Sequence, residues 1–475
     1  MRRYWPRYPY LRPKVGTMGD TKLTVTALAA TATRRIIWVA LIAGSMAALA
    51  VLSLHETGPL MAASVVIAVV GITPAMYIGV ALRGLNSVRL NISVKEPVVE
   101  GEVVEVRVDV ENRSRAALEL IEVTVHPSPY FKVVKGSTTA VMSLGPNERA
   151  SFSYYVKVRA GTHIFPEPRV VVKDIMGLMR IEGIASPRPT LRVYPRIAHM
   201  PTVGVALASR PAGIARTKRR GRGVEFYGVR EYVPGDEFRW IAWKASARTG
   251  MRKLFVKEFE EESSVNVFIV IDTHPSMFAG PPGSTIIEYV MRSVAEISAY
   301  ALRRGDSVAV LYAGRGVTHE NSPVRGMANL GNILRVLSSI TWPEAVEHVP
   351  PPYSSLVRTL AKDLPKVLPR ERNTVIVFTS LPHRTGSEEL IKALERIRRQ
   401  GNHVMLVAPL VEFFELAGLS GLEAAVYRLR AYASIRERDE VIRELRKRGI
   451  PAIVVGPRDI SDAVIRRLEW VRAVA

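Results

Sequence analysis

Cysteine is absent from the chain. That one absence excludes disulfides, thiolate zinc sites, iron–sulfur ligation and a cysteine nucleophile, while leaving the redox compartment open. Acidic residues are scarce beside basic ones, 44 against 66, for a net charge of +22. The expected partners are therefore anionic: nucleic acid, an acidic protein or anionic lipid. Catalytic signatures are missing as well. The nine histidines contain no His-Glu-x-x-His pair, and no serine occupies a Gly-x-Ser-x-Gly elbow. Gly280-Pro281-Pro282-Gly283-Ser284-Thr285 lacks the lysine of a phosphate loop, and Gly221-Arg222-Gly223 lacks the third glycine of a dinucleotide fingerprint. No motif anchors catalysis, which leaves an enzyme of unrecognised type as a residual alternative only.

Against these absences stands a concentration of apolar residues near the N-terminus. Ile36 to Leu54 is uncharged, and after a short loop so is Leu60 to Leu82. At ~1.5 Å rise per residue, both are long enough for a hydrocarbon core of ~30 Å. The sequence therefore predicts a two-helix transmembrane hairpin over 36–83, with spans 36–54 and 60–82, behind a basic tail, 1–35. Eight basic residues and one acid precede the first span, whereas the connecting loop holds only Glu56. The positive-inside rule then puts the tail, and everything after the second span, in the cytoplasm of a multi-pass cell-membrane protein. On that topology the glycosylation patterns Asn91-Ile92-Ser93 and Asn112-Arg113-Ser114 are coincidental.

From 90 to 200 the pattern changes to short alternating strands. Val104, Val106, Val108 and Val110 alternate with charged neighbours, a period of two with one face apolar and the other solvated. Further strands fit Glu119 to Val125, Ala150 to Val158 and Arg169 to Lys173, separated by Gly- and Pro-containing turns. An immunoglobulin-like β-sandwich is the expected fold, acting as spacer or interaction module.

The next segment, 201–262, is rich in arginine and aromatics. Between Arg210 and Lys257 lie thirteen basic and four acidic residues, interleaved with Phe226, Tyr227, Tyr232, Phe238, Trp240 and Trp243. This mixture suits a docking face for an acidic partner, a surface near anionic lipid, or the packing between two domains. Nucleic acid is disfavoured, because the topology holds this face near the membrane and no nucleic-acid motif accompanies it.

Gly223-Val224-Glu225-Phe226-Tyr227-Gly228-Val229-Arg230-Glu231-Tyr232-Val233-Pro234-Gly235-Asp236, followed by Arg239-Trp240-Ile241-Ala242-Trp243-Lys244-Ala245-Ser246-Ala247-Arg248, resembles the signature of the family called domain of unknown function fifty-eight. The resemblance implies two spans, a β-sandwich, this signature and a C-terminal von Willebrand factor A-like domain. It also implies a MoxR-type AAA ATPase as partner, which Arg230, Glu231, Tyr232, Gly235, Asp236, Arg239, Trp243, Lys244 and Arg248 would help to dock.

Residues 263–475 alternate strands with helices, beginning with the nearly continuous apolar run Val265 to Asp272. An α/β doubly wound sheet follows, with its crevice at the carboxyl ends of the strands. At the first such end, Asp272-Thr273-His274-Pro275-Ser276-Met277 resembles the Asp-x-Ser-x-Ser element of the metal-ion-dependent adhesion site of von Willebrand A domains. Asp272 and Ser276 match, and His274 replaces the first serine. The threonine of that site has its counterpart in Ser354, while its last aspartate corresponds to Ser380. Asp272, Ser276 and Ser354 are thus candidate oxygen ligands for Mg2+ or another divalent cation, and His274 and His383 are further ligands for a softer metal such as zinc.

The leading expectation is a membrane-anchored, cytoplasm-facing adaptor that presents the C-terminal domain to protein partners. A divalent-metal-dependent binding protein is the alternative.

Overall fold

The structure, a computed structural model, describes residues 21–52, 82–174, 177–197, 220–248, 253–260, 265–313, 318–320, 322–343, 353–381, 387–409, 411–416, 421–456 and 460–474, with isolated positions between 58 and 79. It forms two compact units, residues 1–196 with 337–347, and residues 197–336 with 348–475.

The first unit is almost wholly β. Its strands are β1 (Thr21–Ala32), β2 (Val88–Val94), β3 (Val98–Val99), β4 (Val103–Asn112), β5 (Leu118–Thr124), β6 (Lys132–Lys135), β7 (Thr139–Leu144), β8 (Arg149–Lys157), β9 (Gly161–Ile164), β10 (Arg169–Lys173), β11 (Met179–Ser186) and β12 (Thr190–Tyr194). Nine of these make one antiparallel sheet in the order β6-β8-β4-β2-β1-β11-β10-β5-β7, and β3-β12-β9 make a small second one. The expected two-sheet sandwich is therefore replaced by a β-rich half-barrel. Alternation shows which residues face inward but not which strands pair, and here the pairing assigns most strands to a single sheet. Along β2 and β4 every second residue, from Val88 to Val94 and from Val106 to Val110, is fully buried in one apolar core with Leu23, Leu118, Ile121, Tyr154 and Phe165. Each such aliphatic side chain contributes ~1.5–3 kcal/mol of burial free energy.

Residues 21–32 correct the expected tail. They form β1, which lies inside the large sheet between β2 and β11. Leu23 and Val25 are buried while Thr24 and Thr26 are exposed, the same period of two written in smaller side chains. A helix, Arg34–Leu52, follows after a single residue. It carries large exposed apolar side chains at Ile37, Trp38, Leu41, Ile42 and Leu49. The described part of the first expected span, 36–52, is 17 residues long, and most of the second span, 60–82, lies outside the described residues. Among the described residues no helix is long and apolar enough to cross a membrane.

Residues 337–347 belong to the first unit although helices of the second precede and follow them in the chain. Thr162 donates its N–H to Ile340 O at 2.8 Å and accepts from the Trp342 N–H at 3.0 Å. The Trp342 indole donates to Ala160 O at 2.7 Å and stacks on His163 at 5.2 Å between centroids. Gly161, at φ +109°, allows this approach, since a Cβ there would sit 2.8 Å from Ile340 O.

In the second unit, β13 (Arg220–Glu231) and β14 (Phe255–Glu260) form an antiparallel ribbon. The remaining strands are β15 (Asn266–Asp272), β16 (Ser307–Ala313), β17 (Thr318–Glu320), β18 (Val324–Arg325), β19 (Asn373–Phe378), β20 (His403–Pro409) and β21 (Ala452–Val455). The main order is β17-β16-β15-β19-β20-β21, with β18 also on β16. β16, β15, β19, β20 and β21 are mutually parallel and β17 is antiparallel. In chain order this reads 3-2-1-4-5-6, a doubly wound sheet as expected, and its direction reverses between β15 and β19. Both strands are buried along their whole length, which is why they read as apolar runs. The crevice is thereby located at residues 272–276 and 378–381.

Candidate functional site

Asp272 ends β15 and is buried, at 2% exposure. Its Oδ1 accepts the His274 N–H at 3.0 Å and its Oδ2 accepts the Thr379 hydroxyl at 2.8 Å. Burial pushes its pKa above the ordinary carboxylate value, against the lowering effect of the Thr379 hydroxyl and the His274 N–H. His274 caps the short 3-10 turn Pro275–Phe278, its Nδ1 accepting the Ser276 N–H at 3.3 Å. With Nδ1 accepting that N–H, Nε2 is buried and makes no hydrogen bond among the described residues. The Ser276 hydroxyl lies 2.8 Å from His274 Nδ1 and 2.7 Å from the Ser380 hydroxyl. Asp272, His274, Ser276, Thr379 and Ser380 thus form one closed polar cluster across the switch point.

The loop after β19 is held from a third side. Arg438, on the long helix Gly421–Lys447, donates Nε to Leu381 O at 2.8 Å and pairs through Nη1 with Glu412 at 2.5 Å. Both charges are almost wholly buried, so the pair fixes the backbone that carries Thr379 and Ser380.

These residues do not fit a hard divalent cation. Both oxygens of the one carboxylate are occupied, Ser276 is bonded to neighbours within the cluster, and Ser380 offers a hydroxyl where the adhesion site needs a second carboxylate. Ser354 starts the helix Ser354–Arg358 behind Tyr353, which has φ +65°. Its side chain is exposed and makes no hydrogen bond to Asp272, His274 or Ser276 among the described residues. His383 lies outside the described residues, and among those described no group of three or more His, Asp or Glu is placed to hold a metal. Nor does the Ser276–His274 contact form a triad, because among the described residues no carboxylate orients the ring at Nε2.

The signature segment builds a second candidate surface from the ribbon upward. Arg230 clamps Asp236 through two nitrogens at 2.6 and 2.5 Å, closing the turn at Gly235, φ +110°. Asp236 also accepts the Val233 N–H at 2.9 Å; these bonds, Arg230 foremost, hold its pKa below the ordinary value. Glu231 pairs with Lys253, and Arg239 pairs with Glu237 and lies over the Trp240 ring at 5.0 Å. Behind the turn, the buried Ser246 accepts the Phe255 N–H at 2.9 Å and seats the helix Trp243–Arg248 on β14. Phe238 and Trp243 then stand at 67% and 51% exposure with centroids 6.2 Å apart. Lys244 and Arg248 beside them are exposed and enter no ion pair among the described residues.

Residues 228–408 match the family model described as protein of unknown function DUF58. This chain carries a DUF58 domain. The match begins inside the ribbon and extends through β20, so it takes in both the exposed aromatic face and the strand-end cluster. "Uncharacterized protein YeaD" of Bacillus subtilis (strain 168) is 28% identical over 161 residues, which is 34% of this chain and 38% of that protein. The chain thus spans well under half of that relative. Among solved structures, the SpRpn10 VWA domain is 13% identical at TM-score 0.27, and an aerotolerance-related membrane protein from Bacteroides fragilis NCTC 9343 is 17% identical at TM-score 0.29. Each covers 42% of this chain and 94% of its own.

Sequence reasoning located both parts of the DUF58 domain but missed their internal bonding. Arg230, Glu231, Asp236 and Arg239 are committed to ion pairs within the segment, which leaves Trp243, Lys244 and Arg248 outward-facing. Phe238, the most exposed of these aromatics, was not singled out for docking; its signal was an aromatic beside charges on both sides. Thr379 was missed because its role appears only when β19 lies beside β15.

Proposed function

We propose that the chain is a membrane-anchored adaptor in which the DUF58 domain docks a protein partner through the face formed by Phe238, Trp243, Lys244 and Arg248. The observation that carries this reading is the exposure of two large aromatics beside two cations that enter no ion pair among the described residues, the composition of an interaction hot spot. The closed cluster around Asp272 supports a platform role, since its polar groups bond one another. Anchoring is supported by the uncharged runs 36–54 and 60–82 and by the large apolar side chains that helix Arg34–Leu52 leaves exposed. The basic residues flanking these runs favour a cytoplasmic placement. A MoxR-type AAA ATPase is the partner that the family resemblance implies, and an acidic patch is the chemistry that would complement Lys244 and Arg248.

Affinity purification of the full chain from its native membranes tests this. Wild type should recover a MoxR-type ATPase, and a Phe238→Ala, Trp243→Ala, Lys244→Ala, Arg248→Ala variant should lose it at unchanged chain abundance. Recovery of no ATPase, or equal recovery by both proteins, sinks the docking reading.

A further inference from the structure

The insertion point of the apolar hairpin says more than its length does. β1 and β2 are adjacent antiparallel strands of one sheet, and the segment between them, residues 33–87, leaves and re-enters at the same end, or rim, of the half-barrel, with β1 running eight residues beyond Thr24, the residue that faces Arg89 of β2. Thr33 donates its N–H to Leu178 O at 2.8 Å and its hydroxyl to Gly177 O at 2.6 Å. On the return side, the helical residues 82–87 run straight into β2; Leu85 is fully buried, and Arg113 donates its N–H to Ser87 O at 3.3 Å. Asn112, at the end of β4, donates to the carbonyls of Ala116, Leu144 and Gly145, which draws the turns after β4 and β7 to the same rim.

Both stems are therefore rooted in the half-barrel without a linker: one residue separates β1 from the helix, and none separates the returning helix from β2. Two residues after the helix begins, the uncharged run starts at Ile36. If that run enters the hydrocarbon, the rim has no room to stand away from the headgroups, whose layer is only several ångströms deep on each side. The charges at the rim suit that position. Arg34, Arg83 and Arg115 are exposed and enter no ion pair among the described residues, and Arg35 lies against Gly177. The acids present are mostly engaged: Glu111 pairs with Arg113 and Arg149, Glu148 accepts the Gly145 N–H, and the buried Asp174 accepts the Met179 N–H. Glu119 is exposed.

We infer that this rim is a lipid-contact surface, seated directly on anionic phospholipid headgroups through Arg34, Arg83 and Arg115. The inference rests on the anchoring reading and replaces the expectation of a spacer with a half-barrel that lies in the headgroup layer. It also limits the positive-inside count. Arg2, Arg3, Arg7, Arg12 and Lys14 are separated from the first span by the twelve residues of β1, so the charges that flank the spans are Arg34, Arg35 and Arg83.

The absence of native cysteine makes a clean test possible in the full chain. Ala117→Cys places one label in the rim loop, and Ser137→Cys places one in the turn between β6 and β7, at the opposite end. Each labelled chain is reconstituted into phosphatidylglycerol vesicles carrying nitroxide headgroups, washed with alkaline carbonate, and its fluorescence quenching read. The expected result is strong quenching at 117 and little at 137. Arg83→Gln with Arg115→Gln, leaving Arg34 and Arg35 in place, should lower the rim-contact equilibrium about fivefold per arginine, and neutral phosphatidylcholine should lower it likewise. Equal quenching at both positions in a chain that survives carbonate overturns the headgroup contact and leaves the anchoring standing. Quenching at 117 that ignores both arginines and lipid charge overturns the electrostatic assignment. Release of the chain by carbonate overturns the anchoring and this inference together.

Discussion

Two histidines divide the molecule's polar interiors into different kinds. His163, on β9, is fully buried, and its ring is satisfied on both sides: Nε2 lies 3.0 Å from Arg159 O and Nδ1 3.4 Å from the Ser128 hydroxyl. Phe131 and Trp342 pack its faces. His274, at the end of β15, is half-buried, uses Nδ1 to cap a turn, and leaves Nε2 unbonded. A ring enclosed by aromatics with both nitrogens used has a packing role, whereas the His274 ring caps a turn and keeps one buried nitrogen unbonded among the described residues. The difference teaches that a histidine's identity says little until both nitrogens are accounted for.

The largest break in this comparison is expected at Trp342. Trp342→Ala removes a buried indole, its stacking on His163 and its bond to Ala160, and should cost about 3–5 kcal/mol. Hydrogen exchange of β9 and β12 amides in the full chain reads the loss, and protection within ~0.5 kcal/mol of wild type would show that the segment is not seated there. The matching break in the crevice is Arg438→Ala, which strands Glu412 as a buried charge, again about 3–5 kcal/mol. Its signature is faster exchange at the end of β19.

The pH responses of the two regions should run in opposite directions. Burial pushes the His163 pKa down to about 3 from 6.5, opposed by the backbone carbonyls of Arg159 and Ala160. A base with a depressed pKa contributes stability above its unfolded value, so the half-barrel should weaken as pH falls from 6.5 toward 3, by up to about 1.4 kcal/mol per pH unit. His163→Gln should flatten that slope. Asp272 is an acid with a raised pKa, so its favourable contribution is present below its unfolded value, 3.8, and is lost as pH rises through the folded one. Asp272→Asn should remove this dependence, with a loss of about 1–3 kcal/mol if Thr379 fails to turn its hydroxyl to the new amide. Equal slopes in both units, read by exchange at several pH values, would break the comparison.

The smallest expected effect concerns metal. Calorimetry of the wild-type chain with Mg2+ should show no saturable heat, and Asp272→Ala should look the same. Ser380→Asp combined with His274→Ser restores the second carboxylate and the missing hydroxyl, and should gain a weak saturable heat. Saturable heat in the wild type that disappears in Asp272→Ala would reinstate the metal-binding alternative.

Much of the C-terminal fold was readable in sequence because parallel strands buried on both faces appear as uninterrupted apolar runs. Val265 to Asp272 was expected as a strand, and β15 spans Asn266–Asp272; Ser307 to Ala313 coincides with β16. β1 was hidden for the opposite reason. Its partner β11 begins about 150 residues later, its residues after Val25 are mostly Ala and Thr, and the basic residues before it suggested a tail. Residues 337–347 were equally opaque, since it is contacts with residues far back in the chain, among them Tyr130, Ala160, Thr162 and His163, that assign them to the half-barrel. At the site, Asp272, His274 and Ser276 were found through their spacing, while Thr379 and Arg438 came from distant segments with no local pattern.

Composition and periodicity determined the absence of thiol chemistry, the apolar runs, the alternating strands and the α/β class of the last domain, because each is written within a window of a few turns or strands, whereas the strand order came from the fold. Tertiary structure decided which charges are spent and which remain free. Arg230 and Asp236 read as docking residues and act as a turn clamp, Ser276 reads as a ligand and bonds Ser380, and pairing, which leaves the +22 excess itself unchanged, marks Arg34, Arg83, Arg115, Lys244 and Arg248 as exposed cations with no ion pair among the described residues. Electrostatic and hydrogen-bond commitments depend on distances of a few ångströms between residues far apart in the chain, and only the folded backbone sets those distances.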